Sequence, residues 1–204
     1  HPIMPLTLRS PYPETWKYTL KGNIHTHTTV SDGTRSMQDT AAQFASMGYD
    51  FLMFSDHDKC GDVAAVRSDG MMLIPGIESC GAGPHMLSVG ISSPVDASGD
   101  RQKVIDETIA AGGFAIANHP NWLGDFNHFP QEELERLKGY SGVEIYNGCI
   151  KRLEGSPIAS DRWDRLLTQG RIIWGHAVDD AHRPEDFGNG WDVALVDEKS
   201  PQAI

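Results

Sequence analysis

The chain has 204 residues, 39% of them hydrophobic and 22% charged, a composition that supports one domain with a substantial core and excludes intrinsic disorder. Its 28 acidic against 17 basic residues leave a formal net charge of −11, which disfavours non-specific binding to nucleic acid or to anionic membranes. No apolar run approaches the roughly 18–20 residues that cross a bilayer. The start, His1-Pro2-Ile3-Met4, has no basic segment followed by an apolar one, so no signal peptide is expected. It also lacks Met at position 1, as a processed form or a tag remnant would. Cys60, Cys80 and Cys149 are odd in number and show no CxxC spacing, which points to a reducing, cytoplasmic setting rather than a disulfide scaffold.

Taken in order, the segments alternate. Gly22–Thr28 reads as a strand running into His25-Thr26-His27. A helix is expected over Ser36–Met47, with Met37, Ala41, Phe44 and Ala45 on one face and Gly48 as its stop. Asp50–Ser55 is a short strand of the buried type that ends at His57. Met71–Glu78 and Met86–Ile91 read as strands paired around the turn Gly81-Ala82-Gly83-Pro84. A helix at Gln102–Ala111 stops at Gly112-Gly113, and the strand Phe114–Asn118 delivers His119. Pro130 opens a helix to Lys138, and Val143–Asn147 is a further strand. A helix over Pro157–Gln169 ends at Gly170, and Arg171–Val178 runs as a strand into Asp179-Asp180-Ala181-His182. Strands alternating with helices of this length predict a parallel sheet in a single domain over residues 1–204.

The histidines and carboxylates carry the chemistry. Residues i and i+2 of a strand face one side, so His25/His27 and Asp180/His182 can each aim two ligating groups at one point. Neutral imidazoles with carboxylates suit zinc, manganese or iron, and the first inference is a metal-centred hydrolytic site. The candidate ligands fall at the carboxyl ends of the predicted strands, where a closed β/α barrel places its active site. An open doubly wound sheet uses the same edge, but no GxGxxG or GxxxxGK[ST] phosphate loop is present, and a barrel gathers ligands from many strands more easily.

These residues resemble the PHP (polymerase and histidinol phosphatase) family of metal-dependent phosphoesterases. The likeness runs from Asn23 to Trp191 through HTHTTVSDG at His25–Gly33, SDHD at Ser55–Asp58, GIE at Gly76–Glu78, NHP at Asn118–Pro120 and DDAH at Asp179–His182. It implies a distorted seven-stranded (β/α) barrel, TIM-like, holding two or three divalent ions (Zn, Mn or Fe). By the same resemblance His25, His27, Glu78 and Asp180 would bind one ion. Glu78 would bridge to a second, completed by His119 and His85, and Asp32, His57 and His182 would hold a third. Relatives often continue past a segment like Ser200–Ile204, so this chain reads as cut short there or as one domain of a longer protein.

The expected reaction is hydrolysis of a small phosphorylated metabolite or nucleotide by a metal-activated hydroxide. Asp180 is the expected proton-relaying ligand, by analogy with related metallohydrolases. Arg183 beside His182, Lys59 beside SDHD, and Asn147 at a strand end are expected to contact substrate. Asp56 and Asp58 alternate away from His57 and read as orienting or turn-capping residues. His176 reads as a core residue or as one supporting the ligands from behind, His128 as surface, and Cys60 as buried and inert. Trp122, Trp163, Trp174 and Trp191 read as core or rim packing. Two other functions fit the same residues: a carbamate, amide or ester metallohydrolase, and a non-catalytic accessory metal-binding domain.

Overall fold

The computed structural model describes residues 9–81 and 83–204, so the reading made at His1–Met4 lies outside the described residues. Among the described residues nine strands fall into two sheets. In the first, β1 (Tyr18–Asn23) lies between β2 (Phe51–Met53) and β9 (Asp192–Val196), and β3 (Met72–Ile74) follows β2, giving the order β3-β2-β1-β9. The second runs β4 (Gly76–Ser79), β5 (Met86–Val89), β6 (Phe114–Ala117), β7 (Gly142–Asn147), β8 (Trp174–Val178) in chain order.

Helices α1 (Met37–Ser46), α2 (Arg101–Ala110), α3 (Gln131–Arg136) and α4 (Ser160–Thr168) lie where the sequence predicts, α1, α3 and α4 trimmed at both ends and α2 shifted back by one residue. The α1 boundaries have visible causes. Ser36 Oγ accepts the Asp39 N–H at 3.1 Å, and Gly48 leaves the helix at φ 75°. The helix buries Ala41 and Phe44 beside Leu52 and Phe54, while α2, α3 and α4 enclose a second cluster around Met86, Phe129 and Val143.

The expected parallel sheet forms only in part. β1–β2–β3 and β6–β7–β8 pair in parallel, with α1, α3 and α4 as crossovers. β4–β5, β5–β6 and β1–β9 are antiparallel. The single strand expected over Met71–Glu78 is two, β3 and β4, divided at Pro75, whose ring nitrogen has no proton to donate to a ladder. β9 has no counterpart in the sequence reading.

The seven-stranded (β/α) barrel is overturned: the described residues form no closed barrel. Between the two sheets the only strand-type bridges are isolated ones, Thr26–Ala181 and His57–Glu78, in place of continuous ladders. Strands of three or four residues at β2, β3 and β4 are too short to carry a ladder around a circumference, and the antiparallel β4–β5–β6 run breaks the β/α repeat that barrel closure needs. Among the described residues no helix is long and apolar enough to cross a membrane.

Candidate metal centre

The two bridges create the site. His27 N–H donates to Ala181 O at 2.9 Å and Asp180 N–H to His25 O at 3.0 Å, which sets the segment after β1 against the segment after β8. Ser55 N–H donates to Thr26 O at 2.9 Å and Glu78 N–H to Ser55 O at 3.1 Å, adding the segments at β2 and β4. Motifs from opposite ends of the chain therefore lie side by side at one rim. Three non-glycine residues there, Asp58 (φ 50°), His119 (φ 25°) and Asp180 (φ 51°), have left-handed backbones. Such geometry costs of order 1–3 kcal/mol per residue and persists where the surroundings over-determine it.

His25 Nε2 is 3.1 Å from His27 Nε2, 3.3 Å from Glu78 Oε2 and 3.2 Å from Asp180 Oδ1. His27 Nε2 is 3.2 Å from the same Glu78 oxygen and 3.1 Å from the same Asp180 oxygen. All four residues are buried. Four donors around one ion at about 2.0–2.1 Å sit about 3.3 Å apart, so this spacing is that of a tetrahedral cage. Asp180 Oδ1 is buried against the imidazole nitrogens of His25, His27 and His182, where an ion would share its lone pairs. The donor set fits a divalent cation.

Glu78 divides its two oxygens. Oε1 is 3.1 Å from both His85 Nδ1 and His119 Nε2, and it accepts Asn118 Nδ2 at 2.8 Å. The half-exposed Asp32 stands further out, its Oδ2 3.3 Å from His182 Nε2 and 3.6 Å from His57 Nε2. The nine residues expected as ligands are thus brought to one place, in overlapping groups whose ligand atoms lie within 4.8 Å of one another.

The other expected contacts divide. Arg183 lines the cleft above the cluster. Asn147 is buried beneath it, its Nδ2 donating to Asp180 Oδ2 at 3.1 Å and to Glu144 Oε2 at 2.9 Å. Lys59 turns away and donates Nζ to Val30 O at 3.0 Å. Asp56 accepts from Thr28 and Ser31, and Asp58 from the Cys80 N–H, which are the orienting roles expected of them. His176 pairs with Asp192 at 2.7 Å, away from the cluster. His128 is not a surface residue: its Nε2 accepts the His85 N–H at 3.0 Å and its ring packs against His85, His119 and Trp122. No spacing in the sequence signals this, because the Asn127–Pro130 loop that carries it has no periodicity. Cys60 is half-buried, with its sulfur toward the Gly61 and Ile91 carbonyls.

Sequence reasoning also missed Glu144. Its Oε1 accepts His25 Nδ1 at 2.5 Å, and its Oε2 accepts the His119 N–H at 2.7 Å. The proton this fixes on His25 Nδ1 leaves the Nε2 lone pair aimed into the cage.

Electrostatics follow from this packing. Burial alone would lower the His27 pKa, but hydrogen bonds and charges from Asp180 and Glu78 outweigh it and raise it from 6.5 to about 9. His25 moves up in the same way, against burial, through Asp180, Glu144 and Glu78. Burial would raise Glu78 and Asp180, yet the facing imidazoles hold both carboxyls below their ordinary range. In the metal-free protein, protons therefore occupy the cage that an ion would enter. Metal binding at neutral pH is expected to release protons, with apparent affinity rising about tenfold per pH unit for each proton displaced as pH climbs toward 9. Calorimetric titration in buffers of different ionisation enthalpy checks this, and binding with no proton release would contradict it. The same raised value makes the metal-free fold lose stability as pH rises from 6.5 to about 9, since the folded state gives up a proton it holds more tightly than the unfolded chain.

No family model matches the sequence, and no curated protein matches it. Solved structures do. A two-domain protein from Bacteroides vulgatus containing a predicted PHP-like metal-dependent phosphoesterase superposes with TM-score 0.71 at 20% identity, over 92% of this chain and 61% of that one. This chain thus spans less than two thirds of that relative. A provisionally named metal-dependent phosphoesterase from Bifidobacterium adolescentis gives TM-score 0.63 at 16% identity, covering 87% of this chain and 92% of the other. An amidohydrolase from Chromobacterium violaceum, with bound sulfate and no metal, gives 0.59 at 13% identity over the same shares. The resemblance read from the motifs is matched by this likeness of fold.

Proposed function

We propose that the chain is a metal-dependent hydrolase acting on phosphoric esters, with a small phosphorylated metabolite or nucleotide as substrate. The observation that carries this reading is the buried cage of His25, His27, Glu78 and Asp180, bordered by His57, His85, His119 and His182. The neighbours named as phosphoesterases support it, and the sulfate bound by the amidohydrolase is a tetrahedral oxyanion of phosphate's shape.

Two or three divalent ions (Zn, Mn or Fe), when bound, supply charge neutralisation and activation of water. The chain's own groups do the rest. Glu144 accepts from His25 Nδ1 and Asn147 donates to Asp180 Oδ2, which holds both ligands in orientation, and Asp180 is the residue assigned to relay a proton. The cleft measures about 290 Å³, room for a small phosphorylated molecule. Arg183 offers a cation to a phosphate at its wall, and Trp122, Ile150 and Leu153 offer an apolar side for the rest of the molecule. Phosphoryl transfer asks mainly for positioning and charge neutralisation, which such a site meets.

A comparison of p-nitrophenyl phosphate with p-nitrophenyl acetate, under Mn²⁺ or Zn²⁺, tests this. Phosphate release that stops on chelation is the expected outcome. Cleavage of the acetate alone would favour the carbonyl-bond hydrolase that the amidohydrolase likeness suggests. Turnover of neither, with tight metal binding, would point to an accessory metal-binding domain.

A further inference from the structure

Beside the histidines and carboxylates, two thiols, Cys80 and Cys149, stand at the cluster. Cys80 lies two residues after Glu78, so the i, i+2 rule that pairs His25 with His27 also pairs Glu78 with Cys80. Its Sγ is 2.6 Å from His57 Nδ1, and that nitrogen is 3.1 Å from Glu78 Oε2. One ligand atom each from His57, Glu78, Cys80 and His85 lie within 4.8 Å of one another.

The loop that presents the sulfur is held from two sides. Asp58, in its left-handed conformation, accepts the Cys80 N–H at 3.0 Å. From below, the buried Arg101 donates Nη1 to the carbonyls of Ser79, Cys80 and Pro84, and Nη2 to those of Ala97 and Gly99. All of these partners are carbonyls, so Arg101 fixes the backbone of the loop that carries the thiol. Cys149 differs: its sulfur accepts Arg152 Nη2 at 3.2 Å and stays 4.0 Å from His182 Nδ1.

We propose that Cys80 is a sulfur ligand of the metal centre, completing with His57, Glu78 and His85 a site of two nitrogens, one oxygen and one sulfur. It takes a thiophilic divalent ion (zinc, iron or cobalt) in preference to magnesium or calcium. This rests on the metal-centre reading above and deepens it. On binding, the S–H bond breaks, sulfur keeps the electron pair as its bond to the ion, and the proton passes to solvent. A neutral imidazole has one free lone pair, so His57 engaged through Nδ1 leaves the outer position to Asp32 and His182.

Cobalt(II) titration of the chelator-stripped chain is the test. Visible d–d bands are expected together with a near-ultraviolet thiolate-to-cobalt charge-transfer band, the latter lost in Cys80→Ser and kept in Cys149→Ser. Visible bands without charge transfer would overturn the sulfur ligand and leave the nitrogen–oxygen centre standing. A charge-transfer band that survives in Cys80→Ser would also overturn it, whereas no cobalt absorption at all would overturn the centre itself. Should Cys80→Ser fail to fold, alkylation of the unaltered chain with mass-spectrometric readout decides. Cobalt is expected to block labelling of Cys80 and spare Cys60, and equal labelling of Cys80 with and without cobalt overturns the proposal.

Discussion

Glu78→Ala is expected to lower metal-dependent turnover by about 10³-fold or more at saturating metal. Both of its oxygens are committed: Oε2 lies 3.2–3.3 Å from the His25 and His27 imidazoles, and Oε1 is 3.1 Å from those of His85 and His119. Among the described residues no other carboxylate faces the ring nitrogens of both groups, so its loss would separate ions that must act together. Glu78→Gln should not rescue, because an amide keeps the shape and removes the charge that a divalent ion needs. Phosphate release with each variant, its fold checked by circular dichroism, is the measurement. Turnover within about tenfold of the unaltered protein would place Glu78 outside the centre.

Glu144→Gln is expected to weaken metal binding by about 10–100-fold without removing any ligand. Glu144 is buried and accepts three hydrogen bonds, from His25 Nδ1, the His119 N–H and Asn147 Nδ2. A glutamine replaces one acceptor oxygen with an NH₂ group, which must then face a donor, and it withdraws the charge that makes His25 a better ligand. Calorimetric titration with zinc reads the affinity directly. A value within about twofold of the unaltered protein would mean that His25 needs no such support.

Legibility varied with the range of the signal. The helices were readable because their causes are local: apolar spacing and a following Gly throughout, with a Ser or Asp cap on α1 and α2. The HxH motif was readable by parity, since it needs only two residues of extended chain, whereas Asp180 meets the site through a left-handed backbone after β8 ends. Parity would also have flagged Cys80 beside Glu78, had thiols been weighed with imidazoles. Glu144 was hidden because a single acidic residue inside Val143–Asn147 looks like the solvent side of a strand. It is instead buried under the histidines, a fact set by residues 25 and 119 rather than by its neighbours.

The strand directions were misread for a related reason. Alternating strands and helices imply parallel pairing only if every connection crosses over, and local pattern cannot say which do. The β4–β5 hairpin and the return of β9 along β1 depend on which edge is free once the other strands have paired. Pro75 was a visible breaker, and its effect on Met71–Glu78 follows from its missing N–H alone.

What the amino-acid order determined unaided is the inventory: which residues can ligate, in what pairs, and on which short extended segments they ride. Tertiary structure decided their meeting. Bridges of single residue pairs, Thr26–Ala181 and His57–Glu78, set four distant segments at one rim, and burial there turned ordinary side chains into a cage whose charges depend on one another. Pair spacing is a property of a few adjacent bonds, whereas the approach of segments more than a hundred residues apart is settled by the packing of the whole chain.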